Sequence, residues 1–576
     1  IKSGRTVIGH RYNTSRPRNY DAVLQYTESA NATMQLAGKH TLPWLNDAEL
    51  DWTGAYNVAE SIEPDRRSYT ANYLYWKEVL DYNYGRPEKD STTSSSEVDI
   101  DDFERRWQDT REEAWQGQTN LKIPYTLFSN EGYVKGGLFG DFMKRTYRNR
   151  VYSVVPTNSI AATSEYDYSN MGLLDTYALP TSLNPKSIEY DGEQDILATY
   201  IMAKAPLPEW IEAVGGARFE STMMRTTILS PSSDKIALYY LITEDNYKTT
   251  GDNKQNVGRI GYRTNVDPSE ADAEIEQVDT LPAGALTLRP LEEWSLRLAY
   301  SETIARPTFK EITPVLYQDS DNSRVFLGNP DLDMSALKNY DGRIEWHPPK
   351  TADLIAAGYF YKQISAPIQY STRRDTQAGA LDYIYPENYG DGRIEGVEFE
   401  ARKGLGFIWE GIRDFSVGGN LTIQDSEVAY PEDIRKKLIK ANVYNKTRPM
   451  DGQSELIGNV NLIFDNEPSG ISAGVFYNLK GETYVSGDTA TDDTYVPSIV
   501  EKSVGTLDLT FGLRFAKRWR WGLEVKNVLD PDIETIYRTP YRDMENTLDL
   551  SRHAARRAAR AHARLAAVVA DAWEAL

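Results

Sequence analysis

Residue types that could support catalysis are sparse in this chain of 576 residues. It contains five histidines, and no two of them have the helical spacing of a metal-binding His-Glu-x-x-His motif. Neither a Gly-x-Ser-x-Gly turn for a nucleophilic serine nor a glycine-rich phosphate loop followed by Lys and Ser or Thr is present. Cysteine is absent, which excludes disulfides and thiolate chemistry. The sequence therefore predicts no catalytic residue, no cofactor and no enzyme.

Carboxylates are the remaining candidates for metal ligands. Calcium prefers oxygen ligands, but calcium loops place them in a fixed order over about twelve residues. Neither acidic cluster of this chain has that order, so solvated loops without a metal are favoured. The clusters are Asp99, Asp101 and Asp102, and Asp488, Asp492 and Asp493.

Charge and composition restrict the class of partner. The net charge of −21 disfavours nucleic acid, because phosphate binding needs a basic surface. The sequence has no run of 18 apolar residues, so it predicts no transmembrane helix. A membrane barrel is still compatible, because its strands place lipid-facing residues only at every second position. The 38 Tyr and 12 Trp would suit aromatic girdles at two membrane interfaces, although a β-rich composition alone also explains them.

Alternation of apolar and polar residues identifies the elements that position the side chains. Within 294–301, Trp294, Leu296, Leu298 and Tyr300 share one face of a predicted strand, and smaller or polar residues share the other. The same alternation recurs over 456–464, 507–515 and 519–525. A soluble sandwich also alternates, since one face of each of its sheets is wet. The pattern therefore predicts strands without selecting the architecture.

The lengths of the connections favour a barrel. From residue 293 onward, short gaps alternate with long ones at 306–335, 372–391, 428–452 and 486–500. An up-and-down membrane barrel has this arrangement, with short periplasmic turns and long extracellular loops. The nine predicted strands form one antiparallel sheet: 293–305, 336–346, 352–371, 392–403, 412–427, 453–465, 471–485, 501–515 and 519–529.

The first 290 residues alternate less regularly. Three polar, turn-rich stretches at 88–102, 157–194 and 246–277 are predicted to be extracellular loops. The whole barrel then has roughly 18 strands. Strands are expected near 31–42, 48–60, 67–79, 118–126, 131–153, 194–205, 213–229, 235–244 and 281–289.

Seven motifs in the C-terminal half, in this order, resemble the barrel of TonB-dependent receptors. The resemblance is clear over 295–548 and diffuse before it, where Pro64-Asp-Arg66 and Gly215-Gly-Ala-Arg-Phe-Glu220 fit the family. The seven are Ser301-Glu-Thr-Ile-Ala-Arg-Pro307; Gly328-Asn-Pro-Asp-Leu332; Asn339-Tyr-Asp341 with Glu345-Trp346; Phe360-Tyr-Lys362; Gly396-Val-Glu-Phe-Glu400; Asn420-Leu-Thr422 with Ser426-Glu427; and Lys526-Asn-Val-Leu-Asp-Pro531.

This resemblance implies a bacterial outer-membrane receptor with a 22-stranded barrel and an N-terminal plug in its lumen. The inner-membrane TonB complex pulls on the plug to admit a scarce ligand such as a siderophore, cobalamin or an oligosaccharide. The sequence contains no recognisable plug, so we expect a fragment that does not transport by itself. The alternatives are a passive porin or surface-binding barrel and, less favoured, an outer-membrane hydrolase. A plug of roughly 100–150 residues upstream would separate the receptor from the porin.

Charged residues on the predicted strands are expected to line the lumen, because charge is costly against lipid near the middle of the bilayer. A solvated or mutually paired wall is favoured over a ligand site for these residues. The apolar residues Leu296, Leu298, Ile344, Trp346, Val397 and Phe399 are expected to face lipid. The expected lumen-lining residues are Arg297, Asp341, Arg343, Glu345, Glu398 and Glu400.

The composition changes abruptly near the C-terminus. Residues 552–576 are rich in Ala and Arg and lose the alternation, which favours a helix. The domains expected are a partial barrel over 1–548 and an atypical helical tail over 549–576. The change resembles a shift of reading frame in GC-rich DNA, with a native amphipathic helix on the membrane as the alternative. We therefore expect the closing strand to be missing and one edge of the sheet to be unpaired.

Overall fold

One large antiparallel sheet dominates the computed structural model. It contains 19 strands. Apart from the two-residue strands Ile160–Ala161 and Thr447–Arg448, the other 17 pair with their neighbours in chain order, and we call them the wall strands. The described residues are 2–11, 18–73, 97–127, 129–154, 160–161, 188–229, 235–252, 254–317, 325–349, 353–374, 376, 382–491, 494–515, 519–538 and 543–544.

The wall strands are numbered here in chain order. They are β1 (Lys2–Arg11), β2 (Arg18–Leu42), β3 (Ala48–Tyr73), β4 (Glu97–Leu127), β5 (Asn130–Val154), β6 (Ile188–Lys204), β7 (Ile211–Leu229), β8 (Ala273–Leu291), β9 (Trp294–Ala305), β10 (Ser335–Trp346), β11 (Leu354–Ser365), β12 (Gly392–Gly404), β13 (Phe415–Ala429), β14 (Leu456–Asn466), β15 (Ile471–Lys480), β16 (Val504–Phe515) and β17 (Trp519–Val525).

The two faces of the sheet differ in chemistry. Leu298 lies opposite Gly342 on the next strand, and Phe399 lies opposite Leu421, all on a face whose large apolar side chains are exposed. We call this the apolar face and the other the polar face. Neighbouring residues of a strand point to opposite faces, so the alternation in the sequence becomes this two-sided wall.

The connections alternate in length along the wall, as predicted from residue 293 onward. Short turns join β8 to β9 and β14 to β15, whereas the long connections 306–334 and 430–455 emerge at the opposite end. The prediction of nine consecutive antiparallel strands in one sheet is confirmed, since each of β9 to β17 pairs with the next.

Several predicted boundaries were wrong, mostly in the first half. Strand β3 is continuous where two strands were expected, and β4 begins at Glu97, inside a predicted loop. The predicted loops 157–194 and 246–277 likewise end inside β6 and β8. These strand ends alternate only over a few residues and carry many acidic side chains, as in Glu97-Val-Asp-Ile-Asp101, so their composition resembles that of a polar loop.

A β-bulge explains the Pro64-Asp-Arg66 motif. The pairing of β3 with β4 shifts between Glu63 and Arg66, and Asp65 adopts a positive φ of 53°. The Asp65 carboxylate accepts hydrogen bonds from Arg105 Nε at 2.7 Å and from Arg67 Nε at 2.9 Å. Two guanidinium groups therefore hold the bulge that bends the strand.

Five long connections have secondary structure of their own, and we call them the loop layer: 230–272, 306–334, 366–391, 430–455 and 481–503. They contain the helices α1 (Phe309–Ile312) and α2 (Glu432–Lys440), and 3₁₀ turns at Lys254–Asn256 and Pro268–Ala271. The predicted strand at 235–244 exists, but it forms a hairpin in this layer and not a wall strand. The strands of the loop layer are Ile236–Leu241, Ile260–Val266, Leu316–Tyr317, Val325–Leu327, Ile368–Arg374, Asp382–Asn388, Thr483–Ser486, Thr489–Thr491, Thr494–Val496 and Ser498–Glu501. Two further short strands, Thr535–Arg538 and Asp543–Met544, lie beyond β17.

The loop layer packs against the polar face of the wall through hydrophobic cores. One core joins Phe309 and Ile312 of α1 to Met224 and Ile275 on the polar face of β7 and β8. A second joins Ile434 and Leu438 of α2 to Phe360 and Ile394 on the polar face of β11 and β12. The long connections therefore fold back over the side of the sheet that carries the charged residues.

The two outermost wall strands each have one neighbour within the described part of the chain: β1 pairs with β2, and β17 pairs with β16. Residues 549–576, for which a helical tail was predicted, lie outside the described residues. The predictions of a helical tail and a missing closing strand therefore stay predictions. Among the described residues, no helix is long and apolar enough to cross a membrane.

Candidate functional site

The six residues expected to line the lumen share the polar face of β9 to β12. Arg297 lies directly opposite Arg343, and Arg343 lies opposite Gly358, which in turn lies opposite Glu398. Asp341 and Glu345 are each two positions from Arg343, and Glu400 is two positions from Glu398. Every second residue of a strand points to the same face, so these three residues share it. The strand register therefore brings residues from four segments of the chain onto one surface.

Four of the six form a continuous set of ion pairs, which we call the wall network. Arg343 Nε lies 2.8 Å from Glu345 Oε1, and its Nη2 lies 2.7 Å from Glu400 Oε2. Arg297 Nη2 lies 3.1 Å from Glu345 Oε2. Ser295 Oγ also donates to Glu345 at 3.0 Å. The predicted mutual pairing is present for these four residues, and in the described part of the wall it does not extend to Asp341 and Glu398.

A row of neutral hydrogen-bonding residues continues the wall network, and sequence reasoning did not single it out. Asn420 lies opposite Glu400, and then Asn459, Asn478 and Thr506 lie opposite one another across successive strands. Asn459 Nδ2 donates to Asn420 Oδ1 at 2.8 Å. We call these four the amide row. The alternation of Asn459 with apolar neighbours in the sequence was the available signal.

A cavity adjoins the amide row beneath the loop layer. It has a volume of about 360 Å³ and is lined by Asn459, Asn478, Thr506, Lys480 and Gln424, among others. Lys480 Nζ is paired with Glu501 Oε1 at 3.1 Å. Lys480 is the one cation that lines the cavity, and it is already paired. This part of the wall therefore presents mainly neutral donors and acceptors to the cavity.

A second set of ion pairs lies inside the loop layer, and we call it the loop network: Arg373, Glu387 and Asp433. Arg373 Nε donates to Glu387 Oε1 at 2.7 Å, and its Nη1 pairs with Asp433 on α2. Lys437 Nζ donates to the Gly258 carbonyl oxygen at 3.1 Å. The network thus ties together three of the long connections.

Burial and charge shift the pKa values in the loop network. Burial opposes ionisation of Asp433, but the positive charge and hydrogen bonds of Arg373 outweigh it and hold the pKa of that carboxyl below its usual value. Burial also disfavours the charged form of Arg373, yet Asp433 and Glu387 raise its pKa well above the ordinary value. Asp433 and Arg373 therefore both stay charged at neutral pH.

Buried tyrosines provide further contacts in the layer. Tyr430 donates its hydroxyl to Asp488 Oδ1 at 2.6 Å, and Tyr495 donates to Asp488 Oδ2 at 3.2 Å. Burial raises the pKa of Tyr389 to about 12, and the Arg448 guanidinium lies 4.8 Å from its ring centroid. Asp488, once considered as a calcium ligand, is thus bound by two hydroxyls. Asp492 and Asp493 lie outside the described residues, as do the side chains of Asp99, Asp101 and Asp102.

Two of the sequence motifs hold the loop layer in place, one against the wall and one within the layer. Arg306, which follows β9, pairs with Glu220 on β7 and donates to Thr222 Oγ1 at 3.2 Å. In the Gly328–Leu332 motif of the same connection, Asn329 Nδ2 donates to the Pro386 carbonyl oxygen at 3.0 Å. A Cβ on Gly328 would lie 2.0 Å from the Thr313 carbonyl oxygen, so only glycine fits there. These motifs position the loops.

The Lys526–Pro531 motif ends the last wall strand in a turn. Asn527 has a positive φ of 53°, and its backbone N–H donates to Asp508 Oδ1 at 2.7 Å. Asn tolerates the left-handed region better than most residues do. Asn527 therefore shapes the turn that follows the last wall strand.

Comparison with known proteins places the chain in a family. A family model described as "TonB dependent receptor-like, beta-barrel" matches residues 3–528. The chain belongs to the TonB-dependent receptor family. Members of this family are outer-membrane β-barrel transport receptors of bacteria, and the chain is therefore an outer-membrane receptor. A search of curated proteins gives no match for this receptor.

Solved structures that resemble the receptor include three other receptors. The ferric-catecholate import receptor Fiu of E. coli K12 is 13% identical, with 92% of this chain and 74% of that chain covered and a TM-score of 0.49. The ferripyoverdine receptor of the Pseudomonas aeruginosa outer membrane is 10% identical, with 92% and 66% covered and a TM-score of 0.47. The ferric yersiniabactin uptake receptor FyuA of Yersinia pestis is 12% identical, with 94% and 77% covered and a TM-score of 0.39.

Proposed function

We propose that the polar face lines the lumen of the barrel and that the apolar face contacts lipid. Two observations support this orientation. Large apolar side chains such as Leu298 and Phe399 are exposed on the apolar face, where only a nonpolar solvent would make that favourable. The loop layer packs against the polar face, as loops that fold into a barrel mouth do. Arg297, Asp341, Arg343, Glu345, Glu398 and Glu400 then line the lumen.

We propose that the receptor imports a scarce ligand by energy coupling and catalyses no reaction. The observation that carries this proposal is the folded loop layer, whose helices and small sheets cover the polar face at one end with buried cores. A passive pore needs an open mouth, whereas a receptor needs a structured surface that can recognise a ligand. The ligand classes proposed are a siderophore, cobalamin or an oligosaccharide.

The proposed partners are the lipid around the barrel and the TonB complex acting through a plug domain. We propose residues 1–548 as the barrel and 549–576 as a separate tail. A barrel with this many strands needs a plug to retain a permeability barrier.

An uptake assay tests the function. The complete receptor, with any upstream plug, would be produced in a strain that lacks its own receptors, with and without TonB. Labelled ferric siderophores, cobalamin and oligosaccharides would be supplied separately. We expect accumulation of one class only, and only with TonB. Equal accumulation with and without TonB would instead identify a passive porin.

A further inference from the structure

The turn between β12 and β13 presents an apolar tip at the end of the wall opposite the loop layer. Three consecutive residues, Phe407, Ile408 and Trp409, are 68%, 63% and 67% exposed. Aromatic side chains each carry a large apolar area, and contiguous exposed apolar residues are unusual on a surface that contacts only water. The tip therefore indicates a contact surface.

The shape of this turn is fixed by local packing. Two 3₁₀ turns, Leu405–Phe407 and Glu410–Ile412, form most of it. The Trp409 ring lies over Gly411, where an added Cβ would be 2.7 Å from the ring. A Cβ added to Gly406 would lie 3.1 Å from the Cβ of Arg413. The apolar residues are thus held in one arrangement and are not on an extended strand end.

The tip continues the apolar face of the wall. Phe399 and Lys403 lie on that face of β12, and Lys403 Nζ lies 5.0 Å from the centroid of the Phe407 ring. On the next two strands, Phe415 of β13 and Phe464 of β14 lie on the same face with ring centroids 4.8 Å apart. Apart from Lys403, an apolar surface therefore runs from the middle of the wall to the tip.

Other turns at this end differ in composition. The turn after β2 carries the exposed Trp44, and the turn after β6 carries the exposed Trp210. The turn at 467–470 is Glu-Pro-Ser-Gly, with a four-residue hydrogen-bonded bend. The 405–414 turn is longer than these and has three large apolar residues in sequence, so it reaches further with more apolar area.

We propose that the 405–414 turn is a lipid anchor whose partner is the phospholipid of the periplasmic leaflet. This inference rests on the proposed contact of the apolar face with lipid. Short turns of outer-membrane barrels lie on the periplasmic side. Tryptophan and phenylalanine favour the boundary between headgroups and acyl chains. The two cations beside the tip are already paired, Lys403 with Asp353 and Arg413 with Glu410, so the apolar residues carry the contact with lipid. The anchor fixes the height and tilt of β12 and β13 in the membrane.

Site-directed spin labelling tests this anchor directly, because the chain has no native cysteine. Ile408→Cys would be labelled with a nitroxide in the folded receptor, reconstituted in phosphatidylethanolamine and phosphatidylglycerol vesicles. Collision with lipid-soluble oxygen and with an aqueous nickel complex would be measured. Glu467→Cys, in the polar turn at the same end, is the aqueous control, and Phe399→Cys, on the apolar face, is the lipid control.

We expect the label at 408 to lie about 5–10 Å below the headgroup boundary, with oxygen collisions several-fold enriched over the control at 467. Trp409→Cys gives an independent second position. Nickel access at both 408 and 409 equal to that at 467 would overturn the anchor. Protection in native outer membranes but not in vesicles would also overturn it and would indicate a protein partner. An aqueous label at 399 would instead contradict the proposed lipid face itself.

Discussion

The wall network and the loop network contain the same chemical groups in different surroundings. Each has one arginine placed between two carboxylates: Arg343 with Glu345 and Glu400, and Arg373 with Glu387 and Asp433. The Arg343 side chain is 30% exposed, whereas that of Arg373 is 1% exposed. The difference in burial sets how far each network contributes to structure.

A buried arginine has no water to replace a lost partner. Removing one member of a buried ion pair leaves the other charge without compensation, which destabilises a protein by roughly 3–5 kcal/mol. An exposed pair contributes about 0–1 kcal/mol, because water solvates the remaining charge. The two networks therefore predict different responses to matched substitutions.

The largest effect is expected for Arg373→Met. The substitution keeps a long apolar stem but leaves Glu387 and Asp433 buried or half-buried without their cation. We expect the free energy of opening the loop layer to fall by roughly 3–5 kcal/mol. Hydrogen exchange in peptides covering 368–388 and 432–440 measures this opening.

Arg343→Met is the matched control in the wall. Glu345 keeps Arg297 and Ser295 there, so exchange in β10 and β11 should change by about 1 kcal/mol or less. Equal losses in the two variants would show that burial does not distinguish the networks.

A smaller effect is expected for Tyr430→Phe, which removes a neutral donor to a buried carboxylate. Asp488 is almost fully buried and accepts hydrogen bonds from Tyr430 and Tyr495. Of these two, the variant would keep only the longer hydrogen bond, from Tyr495. Hydrogen bonds to charged groups contribute roughly 1.5–3 kcal/mol. Hydrogen exchange at 489–491 should rise accordingly. Tyr444→Phe, at an exposed hydroxyl of the same loop, should leave the exchange unchanged.

Acid should weaken the loop network progressively. The pKa of Asp433 is lower in the folded layer than the value of about 4 expected in an unfolded chain. Its contribution to stability is therefore present above about pH 4 and is lost as the pH falls through the folded pKa. Pulsed hydrogen exchange of 432–440 between neutral pH and about pH 3 measures the loss. Asp433→Asn should remove this part of the pH dependence, and an identical profile in both proteins would contradict the assignment.

The smallest effect is expected for Glu400→Gln in the wall network. Glu400 is well exposed, so the loss should be below about 1 kcal/mol and should shrink further at high salt. Hydrogen exchange in β11 and β12 at low and high ionic strength gives the measurement. A loss comparable to that of Arg373→Met would show that the polar face of the wall is not solvated.

The wall could be predicted from the sequence because each strand has one apolar and one polar face. Over β9 to β17 the alternation of Leu, Phe and Trp with small or polar residues located every strand. The alternation does not identify a strand where acidic residues dominate a short stretch, as at the start of β4 near Glu97. It also cannot separate a wall strand from a strand in a loop. The predicted strand 352–371 spans Ala366, whose positive φ of 51° ends β11 and starts a strand of another sheet.

The six residues expected to line the lumen were predicted as a charged surface. Arg343 and Glu345 pair along one strand, whereas the pairing of Arg343 with Glu400 follows from strand register. The register can be derived only when the neighbouring strands are known. Here the alternation of short and long connections identified the neighbours. The loop network could not be predicted. In the sequence, Arg373 resembles any charged loop residue, and its burial depends on Gly258 and Asp433, which are far away in the chain.

The hydrogen bond from Lys437 to Gly258 joins residues 179 positions apart. Six wall strands, β8 to β13, lie between these two residues in the chain. Contacts of such separation carry a large entropic penalty until the intervening segments are ordered. The loop layer is therefore a late product of assembly, completed after those six strands are side by side. Its protection against a protease added from outside would report that insertion of this part of the barrel has finished.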